Sequence, residues 1–231
     1  MSDTSLLSRI TNALLKEGLN PAQEMMSYAI LCDSYASGDI DADQLQQGLC
    51  AYLDLVARRS RAISGVINRV KEPAIAEVFT ESTMMWVDAV LRSPRFEHLG
   101  WKISSETSIP LSNGSYIKPD VAIWKDDKIV AVVECKTSLG RSRKIWQEAF
   151  EERVKQLSEK DIHEDSIFLL VASENCWQGF KPEHHRTLKT WFALCPKNTW
   201  FGGGKQGERK LSEAMYLGHL GKMIDRLYAL R

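Results

Sequence analysis

Asp120, Glu134 and Lys136 combine residue types and spacing suited to chemistry at a bound cation. They lie on two stretches that read as strands, Tyr116 to Trp124 and Ile129 to Lys136, joined by the polar turn Lys125-Asp126-Asp127-Lys128. Side chains alternate along a strand, so Glu134 and Lys136 share a face, and Cys135 offers its carbonyl rather than its thiol. Two carboxylates brought together repel each other and stay ionised most readily beside a cation. Mg²⁺ suits such a pair, because it takes oxygen ligands from one or two carboxylates and completes its shell with water and phosphate oxygens. A lysine held there would orient an attacking water or neutralise developing charge.

The turn decides whether Asp120 can join the other two. A regular two-residue loop at Asp126-Asp127 pairs Asp120 with Val133 and sends its side chain to the wrong face, since a one-residue slip inverts every side chain. The site therefore requires an odd loop or a bulge near Lys125 to Lys128. Ile129 to Val133 is an unbroken apolar run, the mark of a strand buried on both faces. Polar residues at the end of such a strand fit the edge of a pocket better than a solvated face.

Pro119-Asp120, thirteen residues and then Glu134-Cys135-Lys136 resemble the signature of the PD-(D/E)XK phosphodiesterases, the superfamily of type II restriction endonucleases and many repair nucleases. The resemblance implies Asp120 and Glu134 as metal ligands, Cys135 as a ligand through its carbonyl, and Lys136 as the catalytic lysine. It implies Mg²⁺ as cofactor, with Mn²⁺ able to substitute. In many members a helix before the first strand adds an acidic ligand. On the helix expected from about Pro73 to Leu91 the candidate is Glu81, with Glu77 in reserve.

The fold implied is α/β, a restriction-endonuclease-like αβββαβ core with a central mixed sheet flanked by helices. The elements fall in that order over roughly residues 73–195: the Pro73 helix, a strand Trp101 to Ile109, the hairpin, a helix Ser142 to Ser158, and strands Ser166 to Ala172 and Thr190 to Leu194. A closing amphipathic helix is expected from Leu211 to Leu230. Residues 1–70 read as an N-terminal helical subdomain for dimerisation or DNA contact, with residues 71–231 as the nuclease domain. Pro21 marks a helix start, Ser37-Gly38-Asp39 a break, and Leu45, Leu49, Tyr52, Leu53 and Val56 one apolar stripe.

Net charge is zero over 231 residues, but residues 1–57 hold eight acidic against two basic residues, so they carry −6 and the remainder +6. Arg141, Arg143 and Lys144 cluster at the start of the Ser142 helix, where the helix dipole disfavours cations. A docked DNA phosphate would reconcile that placement. The expected function is a Mg²⁺-dependent type II restriction endonuclease, a homodimer cutting double-stranded DNA at a specific site. The alternatives are a structure-directed repair or recombination nuclease and a non-catalytic DNA-binding module that keeps the fold.

Five widely spaced cysteines without a CxxC pair suggest neither a disulfide framework nor a zinc site, and read as reduced, mostly buried thiols. The start of the chain lacks the form of a signal peptide and no apolar run is long enough to span a bilayer, so a cytoplasmic protein without membrane contact is expected. Gly202-Gly203-Gly204-Lys205 lacks phosphate-loop spacing and reads as a turn. His184-His185 have no third ligand at metal spacing. Trp177, Trp191 and Trp200 are expected in the core rather than stacked on bases. Gln147 followed by Glu151, rather than by a tyrosine at that spacing, argues against a processive exonuclease.

Overall fold

The apolar run ending in Glu134 is the middle strand of a five-stranded mixed sheet. The computed structural model describes residues 5–68, 75–111, 113–137, 143–177, 190–203 and 208–231, with the backbone alone for 143–147. The helices are α1 (Leu6–Lys16), α2 (Pro21–Ser37), α3 (Ala42–Val66), α4 (Ala76–Arg92), α5 (Arg143–Ser158) and α6 (His219–Tyr228). The large sheet comprises β1 (Lys102–Ser104), β4 (Val121–Lys125), β5 (Lys128–Lys136), β6 (Ile167–Ser173) and β7 (Trp191–Cys195), in the order β1-β4-β5-β6-β7. Strands β1, β4 and β5 run antiparallel, while β5, β6 and β7 are parallel. β2 (Ile109–Pro110) pairs with β3 (Tyr116–Ile117), and β8 (Thr199–Trp200) with β9 (Arg209–Lys210).

Strand alternation sorts the core onto two faces. Val121, Ile123, Ala131, Val133, Cys135, Phe168 and Leu170 belong to one buried cluster with α2, α3 and α4. Val132, Leu169, Val171 and Ala193 belong to a second, with Phe150 and Leu157 of α5. The sheet is thus flanked by helices on both sides, as α/β folds with parallel strands require.

Within the segment expected as an N-terminal helical subdomain, α2 and α3 share their core with the sheet. Leu45, Leu49, Leu53 and Val56 of α3 are fully buried in the same cluster as Trp86 and Val133. Buried polar groups reinforce this. Gln46 donates to the Tyr216 carbonyl at 2.8 Å and accepts from the Leu220 amide at 2.9 Å. Asp54 accepts from the amides of Gly202, Leu211 and Ser212 and from the Ser212 hydroxyl. Asp41 caps α3 in a reciprocal box with Gln44, and Gly38, in the left-handed region at φ 81°, ends α2.

Three expected elements are corrected. The strand Trp101 to Ile109 is interrupted after Ser104, where Glu106 takes a φ of 51° and its amide donates to the Pro119 carbonyl. The strand Tyr116 to Trp124 is broken by Pro119, which has no N–H to offer a ladder, so Tyr116–Ile117 pairs with Ile109–Pro110 instead. The closing helix begins only at His219, after a short 3₁₀ turn at Leu211–Glu213. Pro73 and His184-His185 lie outside the described residues. All five cysteines are free and buried, and among the described residues no helix is long and apolar enough to cross a membrane.

Asp54 anchors this closure, so Asp54→Ala is expected to cost about 3 kcal/mol by stranding the buried Leu211 amide and two part-buried ones. Urea titration at unchanged m-value measures it. A loss below about 0.5 kcal/mol, the level of an ordinary surface substitution, would show that Asp54 is not the tie.

Candidate active site

The hairpin has a two-residue turn at Asp126-Asp127, with Lys125 opposite Lys128 and Asp126 at a φ of 53°. That turn alone would misdirect Asp120. The register shifts, however, between Ile123, which pairs with Ala131, and Trp124, which pairs with Ile129. Val130 is the extra residue, a bulge just beyond the turn. From there the ladder runs Ala122 to Val132 and Val121 to Val133, so the next pair is Asp120 with Glu134. Both carboxylates and Lys136 consequently lie on the α5 side of the sheet.

The backbone around Asp120 is braced from β1. The Ser105 hydroxyl donates to the Asp120 carbonyl at 2.9 Å, and the Glu106 amide to that of Pro119 at 3.1 Å. Asp120 Oδ2 then accepts from the Cys135 amide at 2.7 Å and from Lys136 Nζ at 2.8 Å. N–H and C=O of an extended residue leave its strand on the same side, so the Cys135 carbonyl also faces Asp120's side. The Cys135 thiol points into the opposite cluster, as expected. At the end of β5 the Cys176 thiol donates to the Thr137 carbonyl at 2.8 Å.

Glu134 is fully buried, with Lys136 Nζ at 3.5 Å and Arg153 Nε of α5 at 2.8 Å. The Arg153 contact is a close ion pair without hydrogen-bond alignment, which leaves Glu134 Oε1 buried and without a hydrogen bond. Arg153 also donates to the Lys118 carbonyl between β3 and β4. Burial pushes the Glu134 carboxyl up to about 7, with Asp120 adding to the shift and Arg153 and Lys136 opposing it. Burial works against the Lys136 ammonium, but Asp120 and Glu134 outweigh it and its pKa is raised. Lys136 is therefore a cation at neutral pH, suited to electrostatic work and not to accepting a proton.

Arg153 was not singled out by sequence. Its signal is a cation three residues after Phe150, inside the apolar stripe Phe150, Val154 and Leu157. Glu81 is not brought to the pair. It is exposed on α4, which packs on the Cys135 face, and its charge reaches Tyr52 of α3, whose pKa burial raises, with Arg59 opposing and Glu81 adding to the shift. Glu77 is exposed on the same helix. Arg141 and the side chains of Arg143 and Lys144 lie outside the described residues, as do Gly204 and Lys205. Trp177 and Trp191 are buried, Trp191 edge-on to Phe150 at 5.6 Å, and Trp200 is half-buried.

Among the described residues no three His, Cys, Asp or Glu side chains gather as a metal cluster. Mg²⁺ does not need three, and the Asp120 carboxylate, the Glu134 carboxylate whose Oε2 shares Lys136 with it, and the Cys135 carbonyl are oxygen donors of the kind that it takes. The exposure of Asp120 and Lys136, 25% and 20% at the side chain against zero for Glu134, places the solvent side of the site at that pair.

A raised carboxyl pKa has a definite sign in stability. From the ordinary 4.5 to about 7 the folded state binds the Glu134 proton more tightly than the unfolded chain, so its contribution is full below 4.5 and lost as pH rises through 7. In metal-free buffer, denaturant titrations from pH 4.5 to 8 should show wild type losing on the order of 3 kcal/mol relative to Glu134→Gln. A pH-independent difference between the two would refute this.

Comparison with family models, with curated proteins and with solved structures finds no match.

Proposed function

We propose that this chain is a Mg²⁺-dependent DNA endonuclease of the PD-(D/E)XK type, with a type II restriction enzyme as the best reading. The observation that carries the proposal is the Val130 bulge, which sets Asp120 opposite Glu134 beside Lys136. The order of α4, the antiparallel strands, α5 and the parallel strands supports a restriction-endonuclease-like core.

In this reading Asp120, Glu134 and the Cys135 carbonyl would hold Mg²⁺, with Mn²⁺ as a substitute. Once bound, the ion supplies an acidified water and neutralises phosphate charge. Lys136, cationic at neutral pH between the carboxylates, orients the nucleophilic water and steadies the phosphate oxygens. Arg153 favours the ionised, ligand-competent form of Glu134. An open groove of about 550 Å³, lined by Tyr116, Lys118, Glu152, Arg153 and Gln156, lies between β3 and α5 and brings Arg153 to the surface beside the site. Arg141, Arg143 and Lys144 remain proposed phosphate contacts. Cutting both strands of a palindrome calls for a homodimer.

A second reading has its own observation: two carboxylates and two cations already balance within the site, as they would in a non-catalytic DNA-binding module. Plasmid and phage DNA with Mg²⁺ or with EDTA separate the two. Wild type should yield discrete fragments with Mg²⁺ alone, and Asp120→Ala and Lys136→Ala should fall about a hundredfold or more. Cleavage confined to branched DNA would indicate a structure-directed nuclease, and wild-type behaviour equal to both variants would sink the enzyme reading.

Arg153→Met makes a sharper demand. Losing a cation that lowers the Glu134 pKa should move the acidic limb of the pH–rate profile to higher pH. An unmoved profile would remove Arg153 from the mechanism.

A further inference from the structure

Helices α1 and α2 lie one after the other along α3, and both run against it. Arg9 of α1 donates to the Val66 carbonyl at 2.6 Å and Arg58 donates to that of Glu17, while Tyr28 of α2 stacks on Tyr52 and Leu31 fills the space that a Cβ at Gly48 would need. Positions fall along α3 as they rise along α1 and α2, so the two helices form one ridge about 40 Å long. Its outer side is apolar. Of the nine large apolar side chains that stand exposed among the described residues, six belong to α1 and α2, a gathering rather than the usual scatter. Leu7, Thr11 and Leu15 recur every four residues on α1, and Ala22, Met26 and Ile30 on α2, so each exposed trio forms one stripe.

Both helices have the composition of covered ones. α1 buries none of its 11 residues, and a helix that short gains its stability from packing rather than from its own hydrogen bonds. α2 spends Tyr28, Cys32 and Ala36 on the core and still carries a second apolar side. Charge says what covers them. α1 holds Arg9 and Lys16 and no acid, with Arg9 toward the positive end of the helix dipole, where a cation is disfavoured. At the far end of the ridge the exposed Asp33, Asp39 and Asp41 gather at the negative end of the α2 dipole, and Asp33 shares Arg92 with Asp88. That acidic end repels DNA and anionic lipid alike. Turned end for end, however, the ridge matches itself, basic end over acidic end and Leu7 over Ile30.

We infer that the α1–α2 ridge is a dimer interface, covered by the same ridge of a second copy of this chain running antiparallel about a two-fold axis. Such a contact is isologous, so every complementary pair is made twice. The apolar stripes close on each other, Arg9 of each copy comes to the acidic group around Asp33 of the other, and the dipoles of facing helices oppose. The pair would serve the proposed nuclease, which needs two sites, but the inference stands on the ridge and not on that reading.

Sedimentation equilibrium of the full chain, without DNA or metal, should show a monomer–dimer equilibrium. Leu7→Glu and Ile30→Glu put a charge into the stripes at exposed positions, and each should raise the dimer Kd at least about tenfold while keeping wild-type circular dichroism. Cross-linking reads the direction of pairing. The five native cysteines are buried, so an equimolar mixture of Leu7→Cys and Ile30→Cys chains treated with a short bis-maleimide should give far more covalent dimer than either variant alone. A monomer at every concentration, a dimer that both glutamate variants leave unchanged, or Leu7→Cys joining itself as readily as it joins Ile30→Cys would overturn the inference. So would a monomer that binds anionic vesicles, which would assign the ridge to a membrane. DNA cleavage in the same samples keeps the two readings apart: a dimer inactive on DNA removes the nuclease alone, and an active monomer removes the interface alone.

Discussion

The arrangement of charge in this protein depends on the phase between two antiparallel strands. Side chains on a strand have only two directions, so the pairing of β4 with β5 either unites Asp120 with Glu134 or places them on opposite faces. Val130 settles the choice by occupying one position in β5 that has no counterpart in β4. Once that phase is set, the Cys135 amide and Lys136 Nζ both meet the same Asp120 oxygen, and the carboxylate behind them can be tolerated in a fully buried position.

That buried carboxylate is the costliest group in the sheet, and its environment is built to offset it only in part. Desolvation dominates its titration, with cations on two different elements pulling the other way. Arg153 comes from the crossover helix and Lys136 from the strand itself, so the charge state of Glu134 reports on how α5 sits over β5. Ion pairs this dry contribute little net stability, since desolvation consumes most of the Coulomb gain. Their retention is easier to understand as the upkeep of a charged, oxygen-rich pocket.

Much of this was legible in sequence, for local reasons. The apolar run Ile129 to Val133 announced a doubly buried strand, Pro21 and Gly38 marked helix ends, and the alternation of Glu134, Cys135 and Lys136 assigned their faces. Parity required a correction in the hairpin, and Val130 supplies it. What escaped was non-local. Arg153 reaches Glu134 only because the crossover lays α5 across that face, and no periodicity within the helix points to a partner nineteen residues earlier in the chain. Glu81 looked suitable on helical geometry, yet the face of the sheet under α4 is decided by connections outside that helix. The strand from Trp101 was misjudged at Glu106, whose left-handed backbone is set by a carbonyl thirteen residues away.

The polar interior of α3 has a bearing on the order in which the molecule can be made. Asp54 and Gln46 are satisfied by groups between Gly202 and Leu220, across separations of 148 to 174 residues. A nascent chain emerging from the ribosome can form α3 early, but it carries a carboxylate and an amide on the side destined for burial, with nothing yet present to receive them. Contacts of such long range form late, after loop closure over most of the polypeptide. Helix α3 is then among the last elements to be locked, and the burial of Gln46 and Asp54 waits on the segment from Gly202 to Leu220.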